Sequence, residues 1–142
     1  MDGQANHSFI WHELMSRDPD ASQRFYESVV GLSVQSLGET PNEYRMLLID
    51  GRPIGGMTGP RPDGEQWPSG GPAGHWVGYF GTDDVDGAID RARELGGDLL
   101  LGPLDIPGTG RVAVLRDADG ATFGLFSPIA PRPSDTGLGG FE

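Results

Sequence analysis

Cysteine is absent from this chain of 142 residues, which excludes disulfides and any thiolate nucleophile or metal ligand. Positive charge is scarce as well: 10 basic residues, all arginine, stand against 21 aspartates and glutamates, for a formal net charge of −11. Nucleic acid and anionic membrane surfaces both demand a positive footprint, so neither is an expected partner. No apolar run approaches the roughly 20 residues of a membrane-spanning helix, and no basic stretch followed by an apolar one marks a secretory leader. These absences predict a cytoplasmic protein. Glycine (24) and proline (12), by contrast, are plentiful. Placed between short apolar runs, they signal many short strands joined by turns. A chain of this length reads as one domain, burying roughly 70% of its unfolded surface.

The stretch Phe9 to Leu32 organises the rest. Phe9 to Met15 is a short apolar run carrying Trp11, His12 and Glu13, the length of a strand. Asp18-Pro19 is a helix start, with a carboxylate to cap free N–H groups and proline at the first helical position. Ala21, Phe25 and Val29, with Tyr26 and Val30 beside them, give a helix over Pro19–Val30 one apolar face. Gly31 ends it. Gly74 to Leu99 repeats the same punctuation: a strand from His75 to Phe80, a cap at Asp83-Asp84, a helix over Val85–Leu95, and a stop at Gly96-Gly97. The helix places Val85, Ala88, Ile89, Ala92 and Leu95 on one face. Asp18 to Asp84 and Gly31 to Gly97 are both separations of 66 residues. Order and spacing, more than residue identity, therefore mark two copies of one unit.

Strands over Leu32–Leu37, Tyr44–Ile49 and Pro53–Thr58, the last two joined by the tight-turn pair Asp50-Gly51, complete a first β-α-β-β-β unit over 9–58. Residues 59–74 are a Gly/Pro-rich linker containing Trp67, which is expected to pack. The second unit, 75–127, adds strands over Asp98–Leu101, Arg111–Arg116 and Ala121–Phe126, with Pro103–Gly110 as a loop. Residues 128–142 lack periodicity and read as a flexible tail. The fold class is α+β, with eight strands and two helices.

The phrases WHELMSRDPDASQRFYESVVG, IGGM, HWVGYFGTDDVDGAIDRARELGG and DIPGTGRVAVLRDADGATFGLF, together covering residues 9–128, resemble the vicinal oxygen chelate superfamily of glyoxalases, bleomycin-resistance proteins and dioxygenases. The similar branch is that of the glyoxalase-like proteins related to a mycobacterial antigen. The resemblance implies a curved, mixed eight-stranded sheet around a cavity, helices outside, and a homodimer. It also implies four metal-ligand positions, which fall here at Trp11, Gly56, Val77 and Gly124. None of these side chains offers the imidazole or carboxylate donors that such ions need. A makeshift pair of Glu13 and His75 is conceivable, but neither a metal nor another cofactor is expected.

Glu13 shares the cavity face with Trp11, since strand neighbours alternate, and His12 points away. An acid in an apolar strand is costly unless bonded. Glu13 is therefore either a catalytic acid–base group or a structural anchor held by Arg111, Tyr79 or backbone N–H groups. Trp11, Met57, Val77, Tyr79 and Phe126 are expected to line the cavity, and Arg111 to clamp an anionic group at its rim. Three functions follow. The first is metal-free binding of a small organic molecule. The second is a metal-independent lyase or isomerase using Glu13. The third is a metal-dependent glyoxalase or dioxygenase, against which the missing ligands weigh.

Overall fold

The structure is a computed structural model and describes residues 7–38, 44–59, 74–106 and 108–129. The linker with Trp67 and the tail from residue 130 lie outside the described residues. Eight strands and two helices follow in the order β1 (Phe9–Met15), α1 (Pro19–Val29), β2 (Ser33–Leu37), β3 (Tyr44–Ile49), β4 (Arg52–Thr58), β5 (His75–Gly81), α2 (Val85–Glu94), β6 (Asp98–Ile106), β7 (Gly110–Arg116) and β8 (Thr122–Pro128). The fold is α+β and mixed in strand direction. None of the helices among the described residues is long and apolar enough to cross a membrane.

The chain divides into two compact units. One is formed by Trp11–Trp76; the other runs on from Val77 and takes in the residues up to Ile10. Within the first the strand order is β2-β3-β4-β1, with β1 parallel to β4 and the other neighbours antiparallel. Within the second it is β5-β8-β7-β6, again with the first pair parallel and the rest antiparallel.

Both helix starts are built alike. The Asp18 carboxylate accepts from the Ala21 N–H at 3.2 Å, and Asp84 accepts from Gly87 at 3.0 Å. Two residues upstream, the Ser16 and Thr82 hydroxyls accept from the Asp18 and Asp84 N–H groups, both at 3.1 Å. Ser16 and Thr82 are both buried, so each hydroxyl is satisfied where it is dry.

Under α2, Val85, Ile89, Ala113, Leu115 and Leu125 form one core cluster, with Ala88 and Ala92 packed on it. Leu95, expected on the same face, is 79% exposed because it caps the helix end beyond the sheet. Under α1, Leu14, Leu32, Leu47 and Met57 form the second cluster, and Tyr26 is the helix residue that packs on it. Phe25 and Val29, expected to be buried, are 56% and 63% exposed. Their periodicity is helical, but the face they share with Val30 points away from the sheet.

The segment expected as a loop after Leu101 is instead strand. β6 continues through a cis Gly102–Pro103 bond to Ile106, pairing Leu104 with Val112 and Asp105 with Arg111. Proline is tolerated there because β6 is the outermost strand of its order, so its missing N–H breaks no ladder. β8 likewise runs on to Pro128, opposite Gly110.

Candidate functional site

Strand alternation sorts the candidates. In the first unit Leu14 pairs with Met57, and both pack under α1. Met57 was expected beside Trp11 but belongs to the helix side. The residue paired with Glu13 is Gly56, so Trp11, Glu13 and Gly56 share the opposite face. His12 is exposed, on the face of Leu14.

On β3, Met46 pairs with Gly56 and Tyr44 with Thr58, which brings Tyr44 to the same face as Glu13. A side chain at Gly56 would collide with the hydroxyl end of the Tyr44 ring, so the ring occupies the space that glycine leaves. From there the Tyr44 hydroxyl accepts from the Trp11 indole Nε1–H at 3.1 Å and donates to Glu13 Oε2 at 2.8 Å. An indole nitrogen can only donate, so the direction of this chain is fixed from tryptophan to tyrosine to glutamate. Burial pushes the Tyr44 hydroxyl well above the ordinary phenol range, and the charge of Glu13 raises it further. The phenol is accordingly a neutral donor at any physiological pH. Trp11 is buried and Glu13 half-buried.

The second unit shows the same device in apolar form. Tyr79 pairs with Gly124, and a side chain at Gly124 would strike the Tyr79 ring. Val77, Tyr79 and Phe126 are buried on the face away from α2. Arg111 is not with them. It faces α2, where its guanidinium donates to Asp105 at 2.8 Å and to Asp86 at 3.0 Å. Both aspartates hold the guanidinium protonated still more firmly than usual. The cleft of about 410 Å³ beside it is lined by Asp105, Ile106, Ser127 and Ile129. With two carboxylates already on one guanidinium, that cleft does not suit an anion, and Arg111 does not hold Glu13.

The four family metal positions do not fit an ion. Gly56 and Gly124 carry no donor and lie beneath tyrosine rings, Val77 is apolar, and the Trp11 N–H is spent on Tyr44. Among the described residues no group of three or more histidines, aspartates or glutamates is placed to hold a metal. His75 lines a cleft of about 330 Å³ with Ser16, Ser22, Tyr26 and Trp76, a cleft that Glu13 does not line.

Sequence reasoning missed Tyr44, the residue on which the site turns. No signal in the sequence marks it, because the hairpin register counted straight on from Asp50-Gly51 sets Tyr44 opposite Met57 and not on the face of Gly56.

A model of the Glyoxalase/Bleomycin resistance protein/Dioxygenase superfamily matches residues 7–125. A Mycobacterium tuberculosis protein named as a candidate glyoxylase, CFP32, is 38% identical over 126 residues, 88% of this chain and 45% of its own. The anthracycline biosynthesis protein DnrV of Streptomyces peucetius is 30% identical over 124 residues, 82% of this chain and 45% of its own. The chain thus spans about half the length of the curated relatives it matches. Among solved structures, a Streptomyces coelicolor methylmalonyl-CoA epimerase variant in complex with 2-nitronate-propionyl-CoA superposes with a TM-score of 0.59 at 25% identity, covering 88% of this chain and 100% of the epimerase.

Proposed function

Because the chain belongs to the glyoxalase/bleomycin resistance protein/dioxygenase superfamily, we propose that it binds a small organic molecule against the strand face carrying Trp11, Tyr44 and Glu13, with no divalent ion held by its own residues. The observation that carries this reading is the pairing of a tyrosine ring with Gly56. It replaces a ligand position with an aromatic wall and leaves one carboxylate as the polar anchor. Aromatic surface with a few fixed polar groups is what organic ligands select. A relative named for anthracycline biosynthesis and a neighbour bound to an acyl-CoA analogue make anthracyclines and acyl-CoA thioesters the two ligand classes to screen.

A metal-independent lyase or isomerase is the second reading, favoured by the 2.8 Å contact between a phenol and a carboxylate. In it Glu13 is the acid–base group acting on a carbonyl substrate. Glu13→Gln separates the two: an enzyme loses about 100-fold or more in turnover, whereas a binding protein has no turnover to lose. A homodimer belongs to the same proposal, in keeping with the exposed Phe25 and Val29 of α1.

The test is a thermal-shift screen of both ligand classes in a chelating buffer, together with elemental analysis after reconstitution with zinc, nickel, iron or manganese. Stabilisation that survives chelation supports the proposal. A stoichiometric ion that is lost on Glu13→Ala overturns it.

A further inference from the structure

We infer that the cleft beside the start of α1 is a second small-molecule site, and that it takes an aromatic carboxylate. Leu14, which packs under α1, lines it, whereas Trp11 and Glu13 lie on the opposite face of β1. The cleft is therefore separate from the face proposed above, and this inference does not rest on that reading. Its lining belongs wholly to the unit Trp11–Trp76. A volume of about 330 Å³ sits at the small end of ligand clefts and suits one or two fused rings. One wall is aromatic. Trp76 is 44% exposed, and its ring meets that of Tyr26 edge-on with centroids 5.5 Å apart. A tryptophan held in this way offers a flat molecule a rigid apolar face.

The polar groups around that wall are donors. The Trp76 indole can only donate, and it does so to the Tyr26 hydroxyl at 3.1 Å, so the tyrosine's own proton is aimed elsewhere. Ser16 extends the argument. It is 2% exposed, its oxygen accepts from the Asp18 N–H, and Ser22 Oγ lies 2.7 Å away. A buried hydroxyl keeps its proton bonded, so Ser16 donates to Ser22, and the proton of Ser22 is the one left over. Ser22 and Tyr26 stand four residues apart, on one face of α1. Neither proton has an acceptor among the described residues. Arg17 lines the same cleft and makes no ion pair among the described residues. Asp18 is the one carboxylate of the lining; it accepts from the Ala21 N–H at 3.2 Å, and Arg17 offsets its charge. Two hydroxyl protons and a guanidinium beside an aromatic wall complement a carboxylate, whose oxygens only accept. An ammonium group would leave both protons without an acceptor and meet the charge of Arg17.

The experiment titrates the full chain with 2-naphthoate and with 2-naphthylmethylamine, a control that carries the same rings. Calorimetry reads affinity. The indole N–H resonances of Trp76 and Trp11, assigned by their loss in Trp76→Phe and Trp11→Phe, read location. Naphthoate is expected to bind saturably, to move the Trp76 resonance, and to bind at least about tenfold more tightly than the amine. Tyr26→Phe keeps the ring and deletes the donor, and should cost about tenfold in naphthoate affinity. Arg17→Gln changes an exposed side chain that the fold does not use, and should cost about threefold and weaken the salt dependence. No saturation up to millimolar naphthoate, or saturation that moves the Trp11 resonance and not that of Trp76, overturns the site. Equal or tighter binding of the amine overturns the carboxylate class. An affinity left unchanged by either Tyr26→Phe or Arg17→Gln overturns the donor assignment on which that class stands.

Discussion

Alanine at Gly56 adds one carbon, and that carbon meets the hydroxyl end of the Tyr44 ring. The far end of a tyrosine can swing aside, so the cost is not mainly overpacking. It is the loss of what the ring holds: a neutral bond from the Trp11 indole at 3.1 Å and a charge-assisted bond to Glu13 at 2.8 Å. Such bonds contribute about 1 kcal/mol and about 1.5–3 kcal/mol respectively. Because the site is half-buried, the lower part of that range applies, and Gly56→Ala should destabilise by about 2–3 kcal/mol. Tyr44→Phe, which keeps the ring and deletes the oxygen, removes the same two bonds and should cost about as much.

The decisive measurement is the double variant. Once alanine has displaced the ring, the hydroxyl has nothing left to lose. Tyr44→Phe in the Gly56→Ala background should then cost less than about 0.5 kcal/mol, a coupling of about 2 kcal/mol between positions on adjacent strands. Urea unfolding of the four proteins at neutral pH gives the cycle. Costs that add to within about 0.5 kcal/mol would refute the reasoning, since additivity means the two residues act independently.

Gly124→Ala should behave differently from Gly56→Ala, because the new carbon meets the Tyr79 ring near its attachment and the ring is buried. An overpacking cost of about 1–3 kcal/mol is expected, seen as a fall in melting temperature that Tyr79→Val relieves. The raised Tyr44 hydroxyl predicts an alkaline effect. The unfolded chain ionises near pH 10 while the folded one does not, so stability is full below that pH and declines above it by up to about 1.4 kcal/mol per pH unit. Unfolding midpoints between pH 9 and 11 should fall more steeply for the unmodified chain than for Tyr44→Phe. Asp20 lies below the ordinary aspartate range because the Arg45 guanidinium donates to it at 2.8 Å. The stability this pair contributes is present above the ordinary aspartate range and is lost as pH falls through the depressed value. A carboxyl titration followed by NMR should show Asp20 moving upward in Arg45→Met.

The repeat was legible further than residue identity suggests. The separation of 66 residues that joins the two caps, Asp18 and Asp84, also joins Ser16 to Thr82, Asp20 to Asp86 and Arg45 to Arg111. In each unit a strand arginine reaches across to the second residue of the helix, Arg45 to Asp20 and Arg111 to Asp86. That spacing alone would have moved Arg111 from the rim of a cavity to the helix side, had it been carried past the caps. The helices themselves were readable to within one residue of their ends, since proline, aspartate and glycine act locally. What covers a helix face is not local. Phe25 and Val29 have the right period and no sheet beneath them.

The site was hidden by a single residue. The hairpin turn at Asp50-Gly51 fixes Ile49 opposite Arg52 and Leu48 opposite Pro53. Counted straight on, that register sets Tyr44 opposite Met57, on the side of α1. The ladder instead shifts between Leu47 and Leu48, so that Leu47 pairs with Gly55 and Ile54 is the extra residue, left 44% exposed. One inserted residue reverses every face beyond it. Tyr44 thereby crosses to the face of Glu13, and Gly56 arrives beneath its ring. Alternation along β1 was enough to place Trp11 and Glu13 together, because a continuous strand keeps its own period. It could not supply their partner, which sits two strands away in the order β3-β4-β1 and whose side depends on the bulge at Ile54 in the strand between. A bulge is set by the packing of both neighbours, so the residue that defines this site became visible only when the strands were paired.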